Sequence, residues 1–318
     1  MNFLTKSFEI PTLFFLALAS GSTAGFIVHD SLRGTLFTVE GDASAFAMDN
    51  KAAYENYEKA KKAGKDLATA LTPSELISVA YTKLAQHEYI YSEALGSSKA
   101  MGLVDQTIQS RAIRDKDDYF EESNSFSNFV KIYNRMYQTG DETTKYWGSS
   151  PSYQGYTPVK VTNETYAEEM GRTISESLIY LVSPKTEGDT DRSGLGLTKV
   201  TKTGSNLQID FEAHPAKSTL RYVKQMKTIS NLKEYPSFYY VHLQVVCTQD
   251  LDLLYMKSFE KYQATLASGI GSACEGTMTT IYQIPSNPPV LPKPDAPSEA
   301  YASSQDDLLK KYGYDSIQ

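Results

Sequence analysis

The sequence predicts an α+β fold, namely a curved, mostly antiparallel and half-barrel-like sheet with helices on one face, preceded by an N-terminal transmembrane or signal segment. Three observations predict it. Residues 10–28 form an apolar stretch, later segments alternate apolar and polar residues between short turns, and few segments have helical periodicity. Consecutive hairpins imply antiparallel pairing, and so few helices would lie over one face of the sheet.

The N-terminal stretch at residues 10–28 carries no charged side chain and is long enough to cross a bilayer as a helix. Its strongly apolar part is 13–19, and small residues follow, so a cleavable signal peptide fits as well. The apolar run resumes at 26–28, which favours an uncleaved anchor. Both alternatives place the rest of a bacterial chain outside, on a single-pass membrane anchor or secreted if the signal is cleaved.

Composition changes along the chain predict four parts. Residues 1–30 are the signal anchor or signal peptide, and 31–71 are a polar helical stalk without a wide apolar stripe. Residues 72–284 form a single α+β extracytoplasmic domain. Residues 285–318 begin with six prolines before position 298, which excludes sheet hydrogen bonds, so we expect a linker and a tail dispensable for folding.

The first helix of the domain has a clear start signal. Thr72 can cap it, Pro73 suits the first helical position, and Glu75 completes a capping box. Apolar residues at helical spacing then continue to Tyr91, and Gly96 ends the element, so the prediction is a helix over 73–91 with one buried face.

Strands are predicted in two runs. The first comprises 104–114, 119–125, 129–138 and 142–147. In the second, the hairpin turn 203–206 leads into an alternating strand from Leu207. A helix at 215–229 and strands at 239–247, 251–262 and 277–284 follow, and 304–312 forms a short amphipathic helix.

In this order of strands and helices, carried by residues 103–147 and 207–284, the chain resembles the bacterial lipoprotein-carrier and outer-membrane lipoprotein-sorting families. The resemblance is one of architecture rather than of signature residues. It implies a curved sheet that half-closes around apolar helices and holds a lipid, a lipidated peptide or another apolar ligand.

With the two helices against the concave face, eight side chains would wall a ligand space. A binding protein is therefore the first hypothesis, and the second is a non-enzymatic interaction or structural module of the cell envelope, in which the same residues are ordinary core. The candidate ligand-binding residues are Ile77, Leu84, Leu220, Val223, Met226, Tyr239, Val241 and Leu243.

The sequence lacks the residues that nucleic-acid binding, catalysis or metal binding would require. The net charge of −7 is spread along the chain, which argues against nucleic acid as a partner. No phosphate loop and no nucleophile or metalloprotease motif occurs, and the four histidines share no ligand spacing, so we expect no enzyme activity, metal or cofactor. Partners would be the membrane, through the N-terminal segment, and an apolar ligand or an envelope protein.

Cys247 and Cys274 are the only cysteines. Cys247 ends one strand, and Cys274 precedes the strand after the next, at the opposite edge of the sheet. Ten extended residues span roughly 30 Å, far beyond the reach of a disulfide. We expect two free thiols, unless residues 264–273 fold back.

Overall fold

The computed structural model describes residues 43–100, 104–116, 118–127, 131–139, 142–148, 159–162, 198–213, 237–265, 271–293 and 299–314. Helices α1 to α4 are Ala43–Lys62, Leu67–Ala70, Pro73–Ala85 and Gln305–Lys311. Strands β1 to β6 are Tyr89–Ala100, Val104–Asp115, Asp118–Ser127, Lys131–Thr139, Glu142–Gly148 and Val159–Thr162. Strands β7 to β11 are Thr198–Thr203, Asn206–Ala213, Ser237–Thr248, Leu253–Thr265 and Gly271–Gln283.

The described strands form one open, curved antiparallel sheet, which confirms the α+β class. Its order is β6-β5-β4-β3-β2-β1-β11-β10-β9-β8-β7. Two runs of consecutive strands, β1–β6 and β7–β11, are therefore each built from neighbours in sequence. They join where β1 pairs with β11.

Helix α3 has the predicted start. The Thr72 hydroxyl accepts from the Glu75 amide, and the Glu75 carboxylate accepts from the Thr72 amide at 2.7 Å, so the capping box is complete. The helix ends at Ala85, however, and the predicted continuation to Tyr91 is wrong, because Tyr91 lies in β1. Aromatic and β-branched residues at 89–91, then serines and a glycine, favour a strand over a helix there.

Helix α1 lies in the predicted polar stalk and packs against α3. Its buried side chains, Ala53, Tyr57 and Ala60, recur at helical spacing. The Asn56 side chain also donates to the Glu75 carboxylate at 2.8 Å. The division of the chain into four parts stays a prediction, since residues 1–42 lie outside the described residues.

The end of the chain does not behave as a free tail. Leu308 and Leu309 of α4 are fully buried. They pack against apolar side chains on one face of the sheet, namely Leu95, Val246, Tyr255 and Ile281.

 Helix α4 lies on the face opposite α3, so the prediction of helices on one face only is wrong. The expectation that residues beyond Ser286 are dispensable also disagrees with this packing, because two fully buried leucines belong to the core.

Three further predictions concern the turn at 203–206, the segment at 10–28 and the helix at 215–229. The turn at 203–206 is a hairpin in which Gly204 has a φ of +60°, the left-handed conformation that glycine adopts readily. Residues 10–28 and the predicted helix at 215–229 lie outside the described residues. Among the helices that the structure describes, none is both long and apolar enough to cross a bilayer.

Candidate functional site

The face of the sheet that carries α3, called here the helix face, is largely apolar around β9 and β10. Tyr81 of α3 points its hydroxyl at the Met256 sulfur of β10, 3.1 Å away. Ile77 and Leu84 lie four residues before and three after Tyr81, so they share its side of the helix. Both are buried, with exposed fractions of 0% and 1%.

Leu243 of β9 lies on the same face, because it pairs with Ser258, two residues after Met256 on β10. Its exposed fraction is 2%. The structure thus brings Ile77, Leu84 and Leu243 to one side of the sheet, as predicted, in the manner of close-packed core. Their role in binding stays a prediction.

The other five candidate residues are not placed as side chains. Tyr239 and Val241 lie in β9, where Val241 pairs with Glu260, but the structure does not describe their side chains. Leu220, Val223 and Met226 lie outside the described residues.

Two hydroxyl groups on the helix face were not singled out by sequence reasoning. Ser258 pairs with Leu243, and Thr280 pairs with Met256, so both point to the same side as Tyr81. Their oxygens are buried and have no hydrogen-bond partner in the described part of the chain. Since a buried hydroxyl without a partner costs about 1–3 kcal/mol, these two are the groups that a ligand could satisfy.

Burial also controls the ionisable groups of this face. It raises the pKa of the Tyr81 and Tyr282 hydroxyls, which remain neutral in the physiological range. It also raises the pKa of the Cys247 thiol to about 12, so this cysteine is an unreactive, buried side chain.

The predicted free thiol at Cys247 is confirmed. Cys247 pairs with Leu253 at one end of β10, whereas Cys274 pairs with Tyr262 near the other end. Nine residues of strand correspond to roughly 30 Å, as the sequence argument required. The side chain of Cys274 lies outside the described part of the chain.

The opposite face, called here the tail face, carries a row of four buried charges. Glu93, Arg111, Glu122 and Arg135 stand directly opposite one another on β1, β2, β3 and β4. Arg135 donates to the Glu122 carboxylate at 2.6 Å, and both side chains are almost completely buried. Sequence reasoning missed this row because it predicts no strand over residues 89–100, so the first strand of the series is missing.

Residues 299–314, called here the clasp segment, cover the row. The Tyr301 hydroxyl donates to Glu122 at 2.8 Å, and the Arg111 guanidinium lies over the Tyr301 ring at 4.6 Å. Lys311 and the Tyr312 hydroxyl donate to Glu93 at 2.8 and 2.6 Å.

The electrostatics of Glu93 follow from these contacts. Burial alone would raise its pKa, but the hydrogen bonds from Lys311 and Tyr312 outweigh burial and hold the pKa below its usual value. For Arg111, burial opposes the charge, whereas Tyr301, Tyr91 and Glu93 favour it and raise its pKa. Glu93 and Arg111 are therefore both charged near neutral pH.

The described histidines have no clear chemical role. His242 lies on β9, where its Nε2 is 3.4 Å from the Asp210 carboxylate. His87 follows α3, and burial lowers its pKa. His29 and His214 lie outside the described residues. Within the described ranges, no three His, Cys, Asp or Glu side chains are grouped as a metal site would require.

Comparison with known proteins adds little. No family model matches the chain, and no curated protein matches its sequence. One similar solved structure is the crystal structure of the ywiB protein from Bacillus subtilis, at 8% identity and a TM-score of 0.16. The match covers 63% of this chain and 96% of that chain. A TM-score so low carries no argument about fold or function.

Proposed function

We propose that this protein is a non-enzymatic, membrane-anchored extracytoplasmic binding protein that holds a lipid, a lipidated peptide or another apolar ligand on its helix face. The anchor is the N-terminal segment at 10–28, and a cleaved segment would give a secreted protein instead. The sheet would half-close around the ligand, together with the predicted helix at 215–229.

One observation carries the proposal, namely the two buried hydroxyls of Ser258 and Thr280, which lie near Leu243 on the helix face and have no hydrogen-bond partner in the described part of the chain. An ester or amide group of a ligand accepts hydrogen bonds from such hydroxyls, and a hydrocarbon chain suits the apolar side chains around them. Apolar burial favours binding by about 25 cal/mol per Å², so an acyl chain needs no charged contact.

A second candidate is an interaction or structural module of the cell envelope. The burial of Ile77, Leu84 and Leu243 favours it, because side chains with no exposed surface border no space that water can enter. In that case the helix face is a permanent core, and a ligand has no way in without displacing α3.

The first experiment is native mass spectrometry of the full-length protein purified from its own host. A retained lipid of defined mass supports the binding protein. Protein that carries no adduct, and that takes up no fluorescent long-chain fatty acid, supports the envelope module.

The second experiment removes a hydroxyl group while keeping the shape of the side chain. We expect Thr280→Val to leave the empty protein as stable or about 1 kcal/mol more stable, because it removes an unsatisfied buried group. The same change should weaken binding of a fatty-acid methyl ester by about tenfold, and that of the matching alkane hardly at all. Calorimetry and thermal melts measure both.

Thr107→Val is the matched control, since Thr107 is exposed and lies on the tail face of β2. It should change neither ester binding nor stability. If Thr280→Val instead lowers the melting temperature and leaves ester affinity unchanged, the hydroxyl holds a buried water molecule and the ligand contact is wrong.

A further inference from the structure

The sheet has two halves joined along one line. The first half is β1–β6 and the second is β7–β11, and among the described strands they are hydrogen-bonded to each other only where β1 meets β11. This junction, called here the seam, runs from the pair Tyr91 and Gln283 to the pair Ala100 and Cys274. Any bending of one half against the other must occur there or within a half.

The seam has the residues that bending needs. Gly96 of β1 and Gly276 of β11 are both buried on the helix face, in neighbouring rows. A Cβ at Gly96 would lie 2.5 Å from the Thr277 carbonyl oxygen and 2.8 Å from the Met278 sulfur, so only glycine fits. Glycine inside a strand marks a bend or a close approach of another backbone.

The clasp segment lies across the seam on the opposite face and contacts both halves. Its contacts with the charge row of the first half are polar, through Tyr301 on Glu122 and Tyr312 on Glu93, and its apolar contact with this half is Leu95 of β1 at the seam. Just before it, the Lys293 carbonyl accepts from Arg135 of β4 at 3.3 Å.

Its contacts with the second half are largely apolar. Leu308 and Leu309 pack on Val246 and Ile281, beside Leu95 at the seam, and the Tyr314 ring lies 5.3 Å from the Tyr255 ring. Three hydrogen bonds with β11 accompany them: Gln305 accepts from Thr279 and donates to Thr277, both at 2.7 Å, and Gln283 donates to Tyr314 at 3.2 Å.

The two sets of contacts therefore differ in what it costs to break them, although they alternate along the clasp segment: Lys311 and Tyr312, which bond Glu93, lie between Leu309 and Tyr314. When the polar contacts break, water hydrates the exposed charges of the row and replaces most of the lost hydrogen bonds. When the apolar contacts break, two leucines become exposed to water and a packed cluster is lost, which is much less favourable. The contacts with the charge row should break first.

We propose that the clasp segment is a releasable strap that fixes the angle between the halves. It keeps its apolar contacts at the seam and on β9–β11 and releases the charge row of β1–β4, the halves then bend about the seam, and the helix face opens to its ligand. This inference rests on the proposed function, and it adds that the tail sets the rate of ligand entry.

The test uses the full chain with Tyr301→Phe and Tyr312→Phe combined, which removes two hydrogen bonds to the charge row and keeps both rings. Hydrogen exchange is followed at the seam amides of β1 and β11, with β9 as the internal reference. We expect seam exchange about tenfold faster, and a similar increase in the association rate of a fluorescent long-chain fatty acid. Tyr314→Phe is the control, because its hydroxyl accepts from Gln283 of β11 and does not contact the charge row, and it should change neither.

Faster exchange of residues 299–304 with unchanged exchange at the seam would overturn the strap, since the contacts with the charge row would then break without loosening the halves. Unchanged fatty-acid association with a loosened seam would overturn its role in entry. If the fatty acid binds neither the wild type nor the variant, the proposed apolar ligand is wrong, and the exchange at the seam still decides whether the strap exists.

Discussion

The two faces of the sheet are closed by different forces. On the helix face, α3 inserts Ile77, Tyr81 and Leu84 against β10 and its neighbours, and the contact is apolar and close-packed. On the tail face, the clasp segment combines two leucines with hydrogen bonds to buried charges. Both faces exclude water, but they respond to different changes in the protein and its solvent.

The difference between the faces shows which contacts a change in solvent or ionisation can break. Close-packed apolar contacts depend on shape, and losing one leaves a cavity that nothing refills. Charges held by hydrogen bonds depend on ionisation and on competition with water. A protein that must open on one side would place its polar closure where the movement starts, as the tail face does over β1–β4.

The largest expected effect comes from removing the closure of the tail face. Truncation after Ser286 deletes Leu308 and Leu309, which are fully buried, and we expect the melting temperature to fall by about 10 °C or more. Truncation after Tyr314 is the control and should melt like the full chain. Equal melting of the shorter protein would mean that the tail face needs no cover.

A smaller effect is expected at the seam, where the two halves of the sheet meet. Gly96→Ala places a methyl group against the Thr277 carbonyl and the Met278 sulfur, and should cost about 1–3 kcal/mol in the free energy of unfolding, measured with urea. Gly204→Ala is the control, because its φ is +60° and nothing lies within 4 Å of the new methyl. It should cost about 1 kcal/mol from backbone strain alone. A smaller cost at Gly96 than at Gly204 would show that the seam is loosely packed.

How far the sequence predicts this structure depends on the range of the interaction. Local signals worked, since the capping box at Thr72 and the hairpin turn at Gly204 are set by neighbouring residues. The boundary between α3 and β1 failed because His87 and Tyr91 continue a helical spacing by chance, while pairing with β2 and β11 decides for a strand.

The site was harder to predict than the fold. The apolar wall at Ile77, Leu84 and Leu243 followed from periodicity, because burial on one face leaves a repeating pattern. The charge row did not, since its four members come from four strands and become neighbours only when the register is known. The partner of Glu93 is more than two hundred residues away, at Lys311 and Tyr312, and no local pattern encodes such a contact.

The smallest expected effect is a difference in pH dependence between the contacts on the two faces. Glu93 has a folded pKa below its ordinary value of 4.5, so its charge stabilises the fold above that pH, and the contribution is lost as the pH falls through the folded value. Tyr91, Arg111, Lys311 and Tyr312 are the ionisable groups around it.

Acid should therefore loosen the clasp segment before it loosens α3, whose buried Tyr81 and Ile77 carry no charge in this range. Hydrogen exchange at decreasing pH, corrected for intrinsic rates, should show protection falling first at residues 299–314. Glu93→Gln should remove much of this pH dependence, because the amide does not titrate. Glu75→Gln is the matched control: its carboxylate also has a lowered pKa, but it caps α3 on the helix face. If Glu75→Gln flattens the response of the clasp segment as much as Glu93→Gln does, the two faces are not closed independently, and the contrast between them is wrong.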